Sequence, residues 1–405
     1  MKQTEIGLIP DDWEVKEIKD FADVTTGDKN TQDAEENGKY PFYVRSPIVE
    51  RINKFSYDTE GVITAGDGVG TGKVFHYAKG KFGLHQRAYL IYNFKNTDPK
   101  YFYYNFSKNF YERVHSMTAK SSVDSVRREM ITKMQIPIPP TLAEQQRIAK
   151  ALSDVDALIS TTEKLIQKKK NIKQGAMQNL LTGKKRLPGF GPQTKSPAYK
   201  QTELGSIPED WEVKEFGDYA SIVRGGSPRP IQNFLTTNSD GINWIKIGDV
   251  KPEDKYIVST EEKIIREGKT HSREVHKGDF ILSNSMSFGR PYILQIDGCI
   301  HDGWLAIQNY QDTFDTDFLY YLLGSDEIFK QYIEMAAGSS VQNLNKEKVA
   351  KLLVPIFDKK EQTAIASVLS SMDKEIENLN TKLEKYRNLK TAMMQQLLTG
   401  KIRLR

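Results

Sequence analysis

The chain repeats itself. Lys2-Gln3-Thr4-Glu5-Ile6-Gly7-Leu8-Ile9-Pro10-Asp11-Asp12-Trp13-Glu14-Val15-Lys16-Glu17 returns 198 residues later as Lys200 to Glu215, with only Ile6, Leu8 and Asp11 exchanged. A second match, at an offset of 217, joins Glu144-Gln145 to Glu361-Gln362 and Leu180-Leu181-Thr182-Gly183-Lys184 to Leu397-Leu398-Thr399-Gly400-Lys401. The second copy has therefore gained 19 residues between the matches. Gly72-Lys73 against Gly289-Arg290, and Tyr103-Tyr104 against Tyr320-Tyr321, already sit at the later offset, so the gain is early. A repeat on this scale decides the architecture before any local pattern does. Each half has a retained start, a divergent middle and a retained end.

The retained ends read as long helices. Leu369, Met372, Ile376, Leu379, Leu383, Tyr386, Leu389, Met393 and Leu397 alternate spacings of three and four. Leu152, Val155, Ile159, Thr162, Ile166, Lys169, Ile172, Ala176 and Leu180 repeat the stripe, interrupted at Thr162 and Lys169. This is a coiled-coil seam. Capping boxes start the helices at Thr141/Glu144 and Asp358/Glu361, and Gly183 and Gly400 stop them. The middles read as mixed α/β, with short β-rich runs such as Gly61–Thr64, Ala88–Tyr92 and Asp279–Leu282. A helix is expected from Asp98-Pro99, its Tyr101, Phe102, Tyr104 and Phe106 falling at core spacing, with a counterpart at Asp317–Tyr321. Residues 188–199 read as a linker. The expected fold class is α+β. Two globular domains, 1–140 and 188–357 with its linker, alternate with spacer helices 141–187 and 358–405, which pair antiparallel with pseudo-twofold symmetry.

Charge follows this division. The whole chain of 405 residues carries +5, but 141–187 holds ten basic and four acidic residues, 358–405 ten and six, and 188–357 eighteen and twenty-four. The excess positive charge lies on the helical segments, which does not describe a simple basic DNA-binding domain. One cysteine, Cys299, excludes an internal disulfide and a cysteine-rich zinc site. No run approaches the roughly 18 apolar residues of a membrane span, and the opening lacks the apolar segment of a secretory signal. A cytoplasmic protein without membrane contact is expected.

Catalytic patterns fail on inspection. Gly66-Asp67-Gly68-Val69-Gly70-Thr71-Gly72-Lys73 resembles a phosphate loop but has Asp67 and Val74 where that loop needs Gly and Ser or Thr, so it reads as a turn between strands. Pro10-Asp11 with Glu14-Val15-Lys16 is too compact for a metal-nuclease site. His85 and His301, each before a β-like run, read as structural. No amino-methyltransferase, metalloprotease or nucleophile-elbow motif is present.

Two divergent globules, each followed by a long helix, suit one recognition task performed twice with different specificity. Antiparallel helices would relate the globules by a twofold matching that of DNA, with half-sites about 34 Å or somewhat more apart. On the Gln3-Thr4-Glu5…Ile9-Pro10…Trp13 opening and its copy, the Pro137/Glu144-Gln145 and Pro355/Glu361-Gln362 helix starts, and the paired Leu-Leu-Thr-Gly-Lys ends, the chain resembles the specificity subunit of a type I restriction–modification system over essentially its whole length. The resemblance implies two target-recognition domains and two spacer helices acting as a ruler. It also implies double-stranded DNA and two methyltransferase subunits as partners, with restriction subunits optional. The chain itself is then not an enzyme and carries no cofactor, S-adenosylmethionine, ATP and magnesium belonging to the partner subunits. The other reading is a coiled-coil adaptor or a degenerate subunit without its own target.

Base readout favours Arg or Lys for guanine and Asn or Gln for adenine, on divergent loops. The candidates in the first domain are Arg45, Ser46, Lys73, Arg87, Lys120, Ser122 and Arg127. In the second they are Arg224, Arg229, Lys246, Asn284, Ser285, Arg290, Ser340, Asn343 and Lys346. Phosphate neutralisation needs several cations on one face, which an acidic second domain limits. The purified chain should therefore bind DNA weakly, and more tightly once partner subunits join. A specific complex of the chain alone that survives physiological salt contradicts this.

Overall fold

The computed structural model describes residues 1–118, 125–191, 198–284, 289–336 and 344–404. It divides into two compact units, and neither is one half of the sequence. The first combines Met1–Lys164 with Asn380–Arg405, and the second is Leu165–Leu379. Each unit thus takes its globule from one repeat and its last helical turns from the other.

The first unit centres on a six-stranded sheet ordered Asp23–Thr26, Ala88–Tyr92, Tyr57–Ala65, Phe75–Leu84, Tyr40–Tyr43, Glu50–Ile52. All its pairings are antiparallel except Tyr40–Tyr43 beside Phe75–Leu84. The helix Pro99–Thr118 starts where Asp98 Oδ1 accepts the Lys100 and Tyr101 amides at 3.0 and 2.8 Å. Its Tyr101, Phe102, Tyr104, Phe106 and Phe110 are buried with Val62 and Ile91 of the sheet, as aromatic side chains at core spacing should be.

The second unit has two five-stranded sheets. One is ordered Ser221–Arg224, Trp304–Gln308, Phe280–Ser283, Pro291–Leu294, Tyr256–Ile257, and the other Leu235–Thr236, Glu262–Ile264, Ile242–Ile245, Gly298–Ile300, Arg273–Val275. Most of the gained residues lie in 246–279, where the short strands Tyr256–Ile257, Glu262–Ile264 and Arg273–Val275 form. The aromatic helix is here two, Thr316–Leu323 and Asp326–Ala336, broken at Gly324-Ser325 and capped by Asp315, which accepts the Phe318 amide at 2.9 Å.

The long helices run Leu142–Leu180 and Lys359–Leu397, 39 residues each, or about 58 Å at 1.5 Å per residue. Within the first unit, Asp156 meets Lys390 and Glu163 meets Arg387. Within the second, Lys169 meets Glu375 and Lys173 meets Asp373. The pairing is antiparallel in both. Leu152, Val155, Ile166, Leu369, Ile376 and Leu383 are buried along the seam, and Thr162 satisfies its hydroxyl on the Leu158 carbonyl at 2.7 Å. Ile172 and Leu389 depart from it, 47% and 46% exposed. The next residue takes over at each point. Lys390 reaches Asp156, which also accepts the Tyr104 hydroxyl at 2.8 Å, and Lys173 reaches Asp373, which accepts that of Tyr321 at 2.7 Å.

The capping boxes form only in part. Thr141 Oγ accepts the Glu144 amide at 3.2 Å, but the Glu144 carboxylate, almost fully buried, turns to Arg403 of the other repeat's tail. Arg403 also holds Asp12, at 2.8 and 3.0 Å, and lies over the Trp13 ring. In the second unit Arg186 does the same with Glu361, Asp210 and Trp211. The neighbouring glutamines tie the aromatic helices. Gln145 accepts the Asp98 amide at 2.7 Å, and Gln362 accepts that of Asp315 at 3.0 Å. Gly400, at φ 66°, leaves no room for a Cβ, which would stand 2.4 Å from Pro10. Gly183, at φ 69°, is similarly closed by Pro208. The retained opening and the retained end of the sequence are therefore the two sides of one joint, each made with the other copy's partner.

Arg403→Ala should leave Glu144 buried without its countercharge, a loss of about 3 kcal/mol. Amide exchange should then quicken around Trp13 and Tyr101 and remain unchanged around Trp211, with Arg186→Ala giving the reverse. Loss of protection in both units from either change would refute the crossed assignment.

Candidate nucleic-acid interface

In the first unit the candidates meet where the turn after Tyr57–Ala65 faces the turn before Ala88–Tyr92. The Gly66 amide donates to the Arg87 carbonyl at 2.8 Å, and the Gly66 carbonyl accepts the Val126 amide at 2.7 Å. Asp67 bridges to Ser125. The glycine-rich run is a turn between two strands, as expected, with Gly68 and Gly72 at positive φ and Val69 almost fully exposed at its tip.

Asp67 is the centre of this cluster. Its Oδ1 accepts Arg45 Nη1, and its Oδ2 accepts Arg87 Nη1 at 3.0 Å. Burial pushes the Asp67 carboxyl up, but the Arg45 and Arg87 guanidiniums outweigh it and hold the group below the usual carboxylate value. Ser46 stands beside Arg45, its carbonyl 3.0 Å from His76 Nε2. Arg127 follows Val126 and precedes the short helix Arg128–Thr132. Lys73 ends the same turn, its ammonium 5.4 Å from the centre of the Tyr111 ring. His85 is structural. Its Nδ1 accepts the Arg87 amide at 3.0 Å, and burial, then Arg45, keeps the imidazole below its ordinary pKa.

The second unit builds a comparable cluster from different positions. Asp302 Oδ1 accepts the Ser227 hydroxyl at 3.0 Å and lies 3.0 Å from His301 Nε2, and its Oδ2 is 3.3 Å from Arg229. Its carbonyl accepts Arg224 Nε at 3.3 Å and Asn284 Nδ2 at 3.0 Å. Burial again pushes this carboxyl up, and the Ser227 hydrogen bond with the His301, Arg224 and Arg229 charges outweighs it. His301 repeats the His85 turn, its Nδ1 accepting the Gly303 amide at 2.9 Å.

The remaining candidates make other contacts. The Arg290 amide donates to Ser283 Oγ at 3.0 Å. Lys246 follows Ile245, whose carbonyl accepts the His301 amide, but its ammonium pairs with Glu262 at 2.9 Å. Lys346 begins a helix two residues after Leu344, whose amide reaches the Asn284 carbonyl. Lys120, Ser122, Ser285, Ser340 and Asn343 lie outside the described residues, as do 192–197 of the expected linker. Sequence reasoning missed Asp67, Asp302 and Ser227. The two acids have the wrong sign for a DNA-contact search, and only their place between arginine-bearing loops marks them. Among the described residues no group of three or more His, Cys, Asp or Glu side chains is placed to hold a metal ion, and no helix is long and apolar enough to cross a membrane.

The type I restriction modification DNA specificity domain matches residues 10–173 and again 208–385. The chain belongs to that family. Among members of it, the MjaVIII specificity subunit of Methanocaldococcus jannaschii is 27% identical over 98% of this chain and 94% of its own length. The EcoDI specificity subunit of Escherichia coli is 24% identical over 98% and 90%. Two solved structures share the fold. The S subunit from M. genitalium superposes with a TM-score of 0.63 at 15% identity, covering 98% of both chains. A chain from a study of assembly and conformational transition in the type I R-M system gives 0.55 at 14%, covering 97% of this chain and 99% of its own. The two matches to the DNA specificity domain contain the two arginine clusters, one in each.

Because both central carboxyls are depressed, their ion pairs stabilise the loops above the unfolded carboxylate value of about 3.9 and are lost as pH falls through the lower folded value. Carboxyl-carbon NMR should show Asp67 and Asp302 still ionised at pH 5 and titrating below 3.9. Titration at or above that value overturns the assigned charge balance.

Proposed function

We propose that this chain reads an asymmetric, bipartite double-stranded DNA target, one half-site through each unit. The paired helices hold the half-sites at a fixed gap and dock two methyltransferase subunits, with restriction subunits as further partners. The observation that carries this reading is the contrast between the repeats. The joints of Arg403 with Glu144 and of Arg186 with Glu361 are retained almost atom for atom, whereas the arginine-bearing loops use different positions in each unit. A common frame with two unlike reading surfaces is what two different half-sites require. The chain acts as a recognition component, and the partner subunits supply the chemistry with S-adenosylmethionine, ATP and magnesium.

The test is a methylation map. The chain is expressed with its neighbouring methyltransferase in a modification-free host, and modified adenines are located across the genome. A split motif with two unlike halves and a constant gap is expected, and exchanging residues 1–140 should alter one half only. Arg87→Ala should relax one position of that half, by about 1–3 kcal/mol of base discrimination. An unmodified genome, despite a stable complex with a competent methyltransferase, favours the adaptor reading instead.

A further inference from the structure

Both units place a carboxylate among two arginines on their divergent loops, but not at equivalent positions. In the first unit the acid, Asp67, comes from the turn after Tyr57–Ala65. In the second, Asp302 comes from the turn before Trp304–Gln308. The retained frame therefore does not account for the arrangement, which arises twice by different residues. Stability accounts for only part of it. Arg87 and Arg229 are 61% and 81% exposed, and ion pairs of that kind contribute about 0–1 kcal/mol.

The geometry suits orientation. Asp67 engages Arg45 and Arg87 through one terminal nitrogen each, with separate oxygens. Among the described residues the rest of each guanidinium fork makes no further hydrogen bond, and the exposed Arg87 is aimed by a half-buried anchor. Asp302 is itself fixed on both sides, by the Ser227 hydroxyl on one oxygen and by Asn284 and Arg224 on its carbonyl. Bidentate recognition of guanine O6 and N7 needs a guanidinium held in plane, whereas a phosphate accepts an arginine from many directions. A tethered arginine loses less freedom on binding a base and is kept from wandering to the nearest phosphate.

We propose that Asp67 and Asp302 are specificity-determining positioning residues, whose carboxylates aim Arg45 and Arg87 in the first unit and Arg229 in the second at a guanine edge and restrain them from the DNA backbone. This rests on the functional reading above and adds a result that reading does not require: removing the acid should strengthen non-specific binding while weakening discrimination.

The experiment compares wild type, Asp67→Asn, Asp67→Glu and Asp302→Asn, each in complex with the neighbouring methyltransferase, by methylation mapping and by titration with random-sequence duplex DNA over a range of salt. Asp67→Asn should lose about tenfold in preference at one guanine position of one half, the low end of what a bidentate Arg–guanine pair contributes. It should leave the other half intact, and steepen the salt dependence of random-sequence binding by about 0.9 in log–log slope. Asp302→Asn should do the same to the other half, and Asp67→Glu should retain the wild-type motif. Uniformly reduced methylation with an unchanged motif would mean a merely structural role and overturn the proposal. So would a motif and salt slope identical to wild type. A wild-type complex without a split motif overturns the functional reading and this inference together, whereas a split motif untouched by either acid-to-amide change overturns the inference alone.

Discussion

A single guanidinium holds each unit closed. Arg403 binds a nearly buried carboxylate at the start of a long helix, a second one, Asp12, in the turn before Trp13, and the face of that buried tryptophan. Taking Glu144 out of water is tolerable only with a charged, well-oriented partner, and the opening segment, the helix start and the tail all depend on that partner. The same holds for Arg186 with Glu361, Asp210 and Trp211. The retained parts of the sequence are retained together because each is one side of this joint. Gly183 and Gly400 belong to it too, since only a glycine allows Pro208 and Pro10 to approach.

With the frame fixed in this way, the loops at the strand ends are free to differ. The first unit carries one long aromatic helix and a single six-stranded sheet. The second breaks that helix and adds a second sheet. Both nonetheless use the same histidine turn, in which an imidazole nitrogen accepts the amide two residues on. The acidic balance of 188–357 also becomes intelligible, because carboxylates sit among the cations of the arginine-bearing loops as well as on the solvent face.

The repeat, the long helices, their glycine stops and the aromatic core helix were all legible in the sequence, because periodicity and turn chemistry are local signals. The exchange of tails was not. Nothing in the spacing of Glu144 and Glu361 distinguishes a capping carboxylate from one that waits for an arginine hundreds of residues away. The seam was overextended at Ile172 and Leu389 for a similar reason: a heptad pattern does not reveal that the adjacent Lys173 and Lys390 have an Asp–Tyr pair to reach. Candidate arginines were identified by type, but their organisation around Asp67 and Asp302 depends on which turns face one another, and that is a tertiary fact.

The crossed tails also set an order of assembly. Every segment of the second unit is contiguous, from Leu165 to Leu379, whereas the first needs Asn380–Arg405 before Glu144 and Asp12 find their arginine. On a ribosome, which delivers the chain from its N-terminus, the globule made first is the one completed last. Until Arg403 emerges, Glu144 lacks its countercharge and the bed of Trp13 lies open, so the first globule waits unfinished while the whole second unit is made.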